Sequence, residues 1–202
     1  MKNKKSRILF EMSVSYCYTA PERRRSMEQL YVINENGTVL GLTDRNIVHQ
    51  KGLLHLAVQC WVMNEMGEVL IQRRSATKDK SAGKWDVSFG GHCSTVSNTA
   101  DIFTANVIKE GQEELGLILT TNDITKLGEV RYTSQNNNNR ELLGIFLINK
   151  PKNTSFTFTD GEVCDVKWIH INDLEQHILH NPQEYANRIG ALSLLKIYLN
   201  NR

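Results

Sequence analysis

The sequence predicts a layered α/β domain, and three observations carry that prediction. Strand-like apolar runs of five to eight residues recur along the chain, several of them joined by short turns rich in Gly and Asn. A helical pattern interrupts the runs near the middle, and two more helical patterns close the chain. The 202 residues are 40% hydrophobic and 23% charged, which is enough apolar material for one buried core. Strands interspersed with helices bury both faces of a sheet, and this is the α/β arrangement.

Residues 1–26 are polar and end in Arg23-Arg24-Arg25, so they are expected to form an N-terminal arm or edge element beside one domain spanning 27–202. Gln29 to Ile33 and Thr38 to Leu42 flank the turn Asn34-Glu35-Asn36-Gly37 and read as a hairpin. Leu56 to Met63 and Val69 to Arg73 flank Asn64-Glu65-Met66-Gly67, where Gly accepts a positive φ, and read as a second hairpin. Trp85 to Phe89 is a further strand, expected to break at Gly90-Gly91. A helix follows from about Asp101 to Leu115, with Gly116 stopping it. Strands are expected at Gly128 to Thr133, Leu142 to Ile148 and Val163 to Ile169, the Asn-rich run from Gln135 to Asn139 looping between the first two. Helices near Ile171 to His180 and Glu184 to Leu199 end the pattern.

Charge excludes some functions. With 24 Lys+Arg against 22 Asp+Glu the net is only +2, so no nucleic-acid partner is expected. Apolar runs such as Leu53 to Val58 and Leu142 to Ile148 are far shorter than the ~20 residues of a membrane-spanning helix, so no membrane partner is expected either. Ile8-Leu9-Phe10 meets Glu11 at once and no small-residue cleavage site follows, which argues against a secretory signal and for the cytoplasm. Cys17, Cys60, Cys93 and Cys164 lie far apart without paired spacing, so reduced structural thiols are expected. A homodimer is left open.

The chemistry concentrates in Lys109-Glu110-Gly111-Gln112-Glu113-Glu114-Leu115-Gly116-Leu117. At about 100° per residue the three glutamates share one face, with Thr104, Ile108, Gly111 and Leu115 roughly opposite and turned inward. Like charges so placed repel unless a cation sits among them, and Mg²⁺ favours such oxygen ligands together with substrate phosphates. The alternative is a solvated acidic face.

These residues resemble the signature of the Nudix hydrolases, R-E-U-x-E-E-x-G-U with U apolar, at Glu110, Glu113, Glu114, Gly116 and Leu117. Lys109 stands for the family's Arg, Gly111 for its apolar residue and Asp101 for an earlier Glu. Gly91 lies too far upstream, which implies an insertion within Cys93 to Ala100. The resemblance implies a Nudix-like α/β/α sandwich around a mixed β-sheet, and Mg²⁺ or Mn²⁺ held by Glu110, Glu113 and Glu114. Gly111 is expected to be offset by close packing on the sheet, since Gly inside a helix costs about 1 kcal/mol relative to Ala.

A second resemblance, from about Glu28 to Leu199, is to the type I isopentenyl-diphosphate isomerases of the same superfamily. It rests on the order of His49, His55-Leu56-Ala57, Trp61, Leu70, Arg73-Arg74, Lys78, Trp85, Gly91-His92, Glu141 and Trp168. By position it implies metal ligation by His49, His55, His92 and Glu141, with Asn139 where the family has a second glutamate. Those isomerases carry a cysteine directly before Gly-His and this chain has Gly90 there, so isomerisation is not expected. The reading is therefore a metal-dependent hydrolase of an organic or nucleoside diphosphate, with an isomerase-like enzyme or a catalytically silent ligand sensor as the rivals. Glu114 and Glu141 are the candidate general bases. His92 is placed with the glutamates on the metal. Gly90 and Gly91 would let backbone amides approach a phosphate. Arg73, Arg74 and Lys78 would clamp the diphosphate, although alternation lets at most one of the two arginines face the site. Trp85 and Trp168 are candidate stacking platforms.

Overall fold

A computed structural model describes residues 28–78, 80–94, 101–134, 138–186 and 189–201. The expected arm at 1–26, Cys17, most of the stretch expected to hold an insertion, and residues 135–137 of the Asn-rich run lie outside them.

Strand β3 (Leu54–Met63) is the hub of a mixed sheet. It runs parallel to β8 (Asn139–Asn149) along its whole length, from the pair Leu54↔Arg140 to Met63↔Asn149. On its other edge it pairs antiparallel with β6 (Phe89–His92), and it meets β1 (Gln29–Ile33) at one end and β4 (Glu68–Arg74) at the other. Outside these lie β2 (Val39–Asp44) on β1, β7 (Ile124–Ser134) on β8, and both β9 (Val163–His170) and β5 (Trp85–Asp86) on β4.

Alternation along β3 divides the core in two. Leu54, Leu56, Val58, Cys60 and Val62 face helix α2 (Ile102–Leu115) with Phe89, Val107, Leu115 and Phe146. Ala57 and Trp61 face helices α3 (Ile171–His180) and α4 (Ile189–Asn200) with Ile145, Leu147, Leu174 and Leu195. Each such side chain, fully buried, contributes about 1.5–3 kcal/mol relative to an exposed one. Trp61 Nε1 also donates to the Ala191 carbonyl at 3.1 Å, which ties the sheet to α4. The expected α/β/α sandwich with a mixed sheet is the fold observed. Among the described residues no helix is long and apolar enough to cross a membrane.

Four elements differ from expectation. A short helix α1 (Arg45–Lys51), absent from the sequence reading, starts at Asp44, whose carboxylate accepts from the Asn46 and Ile47 amides, and ends at Gly52 with φ 61°. Val48 is its only buried residue, so no apolar stripe announces it. Gly90-Gly91 does not break a strand but lies within β6, because a Cβ on Gly90 would stand 2.4 Å from the Val58 carbonyl oxygen. Trp85 to Phe89 is interrupted at Val87-Ser88, where the Ser88 hydroxyl donates to Leu70 O and accepts from Val62 N. The last helix begins at Ile189 rather than Glu184; Pro182–Glu184 forms a single 3₁₀ turn before it.

Candidate active site

Helix α2 begins where Asp101 accepts hydrogen bonds from the Phe103 and Thr104 amides. Asp101 thus caps the helix. Gly111 lets the helix press against the sheet: a Cβ there would lie 2.8 Å from Leu119 and 3.2 Å from the Phe89 ring. That close approach carries Glu110 and Glu114 inward with it. Both are buried, with 7% and 2% exposure, while Glu113 stays exposed. The expected single outward face of three glutamates is therefore corrected: two of the three lie on the buried side.

Lys109 holds the group together, its Nζ lying 2.7 Å from Glu110 Oε1 and 2.8 Å from Glu113 Oε2. Burial opposes the charge on Lys109, but the pull of Glu110 and Glu113 keeps its pKa above the usual lysine range. Gly91 leaves room for Glu110, whose carboxylate would stand 2.6 Å from any Cβ at that position. The glycine and the glutamate therefore meet in space despite their unusual separation in sequence.

From β4, Gln72 Nε2 donates to Glu114 Oε2 at 2.8 Å, and Gln72 Oε1 finds no hydrogen-bond partner. The segment after β8 docks on the end of α2, where Thr157 N donates to Leu115 O and the Thr159 hydroxyl to Glu113 O. Docking brings Asp160 and Glu162 to the glutamates, and Lys78 pairs with Glu162. Burial, reinforced by Glu110, Glu162 and Asp160, pushes the Glu114 pKa well above the usual carboxylate range. Burial also raises Glu110 against the pull of Lys109, and raises Asp160. Such a group favours a bound proton or a cation.

At the other end of the same cleft, His49 from α1, His55 from β3 and His92 from β6 bring one ring nitrogen each to within 4.8 Å of one another. Glu141 on β8 sits opposite, with Oε1 3.5 Å from His92 Nε2 and 3.9 Å from His55 Nε2, and it accepts from Asn139 Nδ2 at 2.8 Å. Donors bound at about 2.0–2.2 Å to one ion stand roughly 3–4 Å apart. His55 Nδ1 lies 2.9 Å from the Leu53 carbonyl, which holds the proton on that nitrogen and leaves Nε2, without a partner, as a lone-pair donor. Burial lowers the His55 pKa to about 4 and also lowers that of His49, so both rings are neutral near pH 7.

A cleft of about 1060 Å³ joins the two ends and is lined by Lys78, Gly90, Gly91, His92, Glu110, Glu113 and Glu141 among others. Arg73 and Arg74 do not line it. Arg73 Nε donates to Gly83 O, and Arg74 is held by Asp86 and Lys80 O. His92 joins His49 and His55, the grouping that the isomerase resemblance implies. Trp85 and Trp168 also lie outside the lining. Trp85 is covered by Lys167, with Nζ 4.2 Å from the ring centroid, and Trp168 packs on Phe156 in the core. Sequence reasoning missed Asp160, Glu162, Gln59 and Gln72. For the glutamines a signal exists, since each is a lone amide in an otherwise apolar strand run; for Asp160 and Glu162 none does. Cys93 is fully buried among core side chains, and burial raises its thiol pKa far above the range where a thiolate forms.

The NUDIX domain model matches residues 53–188 of the chain. An uncharacterized Nudix hydrolase of Clostridium acetobutylicum is 28% identical over 157 residues, covering 75% of this chain and 74% of its own. An isopentenyl-diphosphate Delta-isomerase of Aliivibrio fischeri is 28% identical over 166 residues, covering 79% of this chain and 89% of its own. Among solved structures, a Deinococcus radiodurans protein superposes with a TM-score of 0.63 at 20% identity, over 85% of this chain and 99% of its own.

Proposed function

The chain belongs to the Nudix family, and on that premise we propose that it hydrolyses an organic diphosphate with the help of a divalent cation. One observation carries the reading: two buried carboxylates, Glu110 and Glu114, crowd together on the helix that presents Glu110 and Glu113 to the cleft, and burial, reinforced by neighbouring carboxylates, raises the pKa of both buried groups. Glu110, Glu113 and Glu114 would hold Mg²⁺ or Mn²⁺, a hard cation that favours such oxygen ligands and would supply positive charge against the charge developing on the phosphate oxygens.

The chain's own residues do the rest. Lys109 bridges Glu110 and Glu113 and fixes them in place, Gln72 holds Glu114 by a hydrogen bond, and Gly91 admits the Glu110 carboxylate. Lys78 stands at the cleft and meets phosphate by exchanging it for Glu162. Water forms the new P–O bond as the bridging P–O bond breaks; its proton passes to a carboxylate, and the organic monophosphate and inorganic phosphate depart. Glu114 and Glu141 remain the two candidate acceptors of that proton, Glu141 lining the cleft and Glu114 buried and held by Gln72.

The histidine cluster with Glu141 fits a second ion of the kind that takes imidazole and carboxylate, such as Zn²⁺ or Mn²⁺. It is the feature that favours an isomerase-like reading. Against it, any side chain at position 90 collides with the Val58 carbonyl, and the Cys93 thiol is buried in the core. The test is phosphorus NMR on diphosphates incubated with Mg²⁺ or Mn²⁺. Release of phosphate that stops on chelation is expected. Interconversion of five-carbon diphosphates without release of phosphate would replace hydrolysis by isomerisation.

A further inference from the structure

The cleft is walled largely by hydrogen-bonding groups. Among the described residues lining it there is no Phe, Tyr or Trp, its one ring is His92, which belongs to the histidine cluster, and its apolar side chains are Ala57, Val58, Val87 and Leu143. A nucleobase is ordinarily held by stacking on a Phe, Tyr or Trp face, and none of the described lining residues offers one. A prenyl chain needs a continuous apolar wall, and here it would seal polar groups away from any partner.

Those polar groups are specific. Gln59, on β3 and 3% exposed, lines the cleft with an Nε2 that finds no partner. Gln72, on β4 and 2% exposed, lines it with a partnerless Oε1 while its Nε2 holds Glu114. Gln59 thus offers an unmatched donor and Gln72 an unmatched acceptor. Hydroxyls can meet either need, whereas a methylene or a ring face meets neither. Leaving a buried amide group unmatched costs about 1–3 kcal/mol, so a ligand carrying hydroxyls gains where an apolar one loses.

We propose that the organic group on the diphosphate is a compact polyhydroxylated one, a sugar or polyol whose hydroxyls are read by the partnerless amide groups of Gln59 and Gln72, and that no nucleobase or prenyl chain is recognised. The inference takes its reaction from the hydrolase reading but concerns binding, so the two can fail separately.

The test uses the full chain with Mg²⁺ and non-hydrolysable methylene analogues of ribose 5-diphosphate, adenosine diphosphate and dimethylallyl diphosphate, titrated calorimetrically. The ribose analogue is expected to bind at least 10-fold more tightly than the dimethylallyl one, and adding adenine is expected to change affinity less than threefold. Gln59→Leu should weaken the ribose analogue about 10-fold and leave methyl methylenediphosphonate, which has no hydroxyl, unchanged. Tighter binding of the dimethylallyl analogue, a tenfold gain from adenine, or no binding by the ribose analogue overturns the proposal. Equal weakening of both ligands in Gln59→Leu removes Gln59 from recognition, and the wild-type comparison still decides the substrate class should that variant fold poorly. Tight binding of the ribose analogue without turnover of ribose 5-diphosphate itself would sink the hydrolase reading and leave this one standing.

Discussion

At one end of the cleft Glu110, Glu113 and Glu114 come from neighbouring turns of a single helix, whereas at the other His49, His55, His92 and Glu141 come from four separate elements. The helix end crowds like charges and needs Lys109 and Gln72 to hold them. The histidine end is held by sheet register: His55 pairs directly with Glu141 across β3 and β8, and Ala57 with His92 across β3 and β6. Its groups are imidazoles around one carboxylate, with burial keeping His55 and His49 neutral near pH 7, so little repulsion has to be overcome. A contiguous cluster is easy to encode and strained until a cation arrives; a dispersed one needs the finished fold but is already in place. The hard oxygen set suits Mg²⁺, and the imidazole set suits a softer ion.

The largest expected effect tests whether the helix end carries the chemistry. Glu114→Gln keeps shape and the contact with Gln72 but removes the charge, so kcat should fall on the order of 10²- to 10⁴-fold. Because the lost charge is buried and repelled, the melting temperature should hold or rise. Retained turnover would move the reaction away from α2. His55→Ala should weaken binding of Zn²⁺ or Mn²⁺ at the histidine end by at least ten- to a hundredfold, the range seen even for loss of a ligand's supporting partner. If it depresses turnover as deeply as Glu114→Gln, the two ends act as one centre.

Acidification should separate the ends further, measured by urea unfolding with chelator present. His55 titrates at about 4 in the fold against an ordinary 6.5, so the unfolded chain binds more protons between those values. Stability from this group is present above about pH 6.5 and is lost as pH falls toward 4, a decrease of about 3 kcal/mol. Glu110 and Glu114 have raised values, so their contribution has the opposite sign: it is full below pH 4.5 and lost as pH rises through their folded values. His55→Ala should flatten the acid limb, and Glu114→Gln the limb at higher pH. An acid limb of the same slope in His55→Ala would show that another group is responsible. The smallest effect belongs to Lys109→Arg. A planar fork spanning Glu110 and Glu113 should lower the Mg²⁺ needed for half-maximal rate about two- to threefold, more at low salt. A raised requirement would mean that the compact ammonium, bridging both carboxylates, is already the better brace.

Much of the fold was legible because strand alternation, helical period, turn glycines and the stop at Gly116 depend on residues close together in the chain. Helix α1 escaped because seven residues with one buried side chain carry no periodic signal. The glutamate motif was legible as chemistry, but its orientation was not. Which side of α2 faces inward is decided by Phe89 and Leu119 meeting the bare surface of Gly111, and Gln72 arrives from another strand. Arg73 and Arg74 read equally well as phosphate clamps until a register shift between them, where β4 pairs with β9, and bonds to Gly83, Lys80 and Asp86 drew both away. By itself the sequence determined which residues could attract a cation or a phosphate, since that is a property of side-chain chemistry. Only the tertiary structure decided which of them meet, because convergence depends on strand register and on helix-to-sheet distance, and both are set by residues far away in the chain.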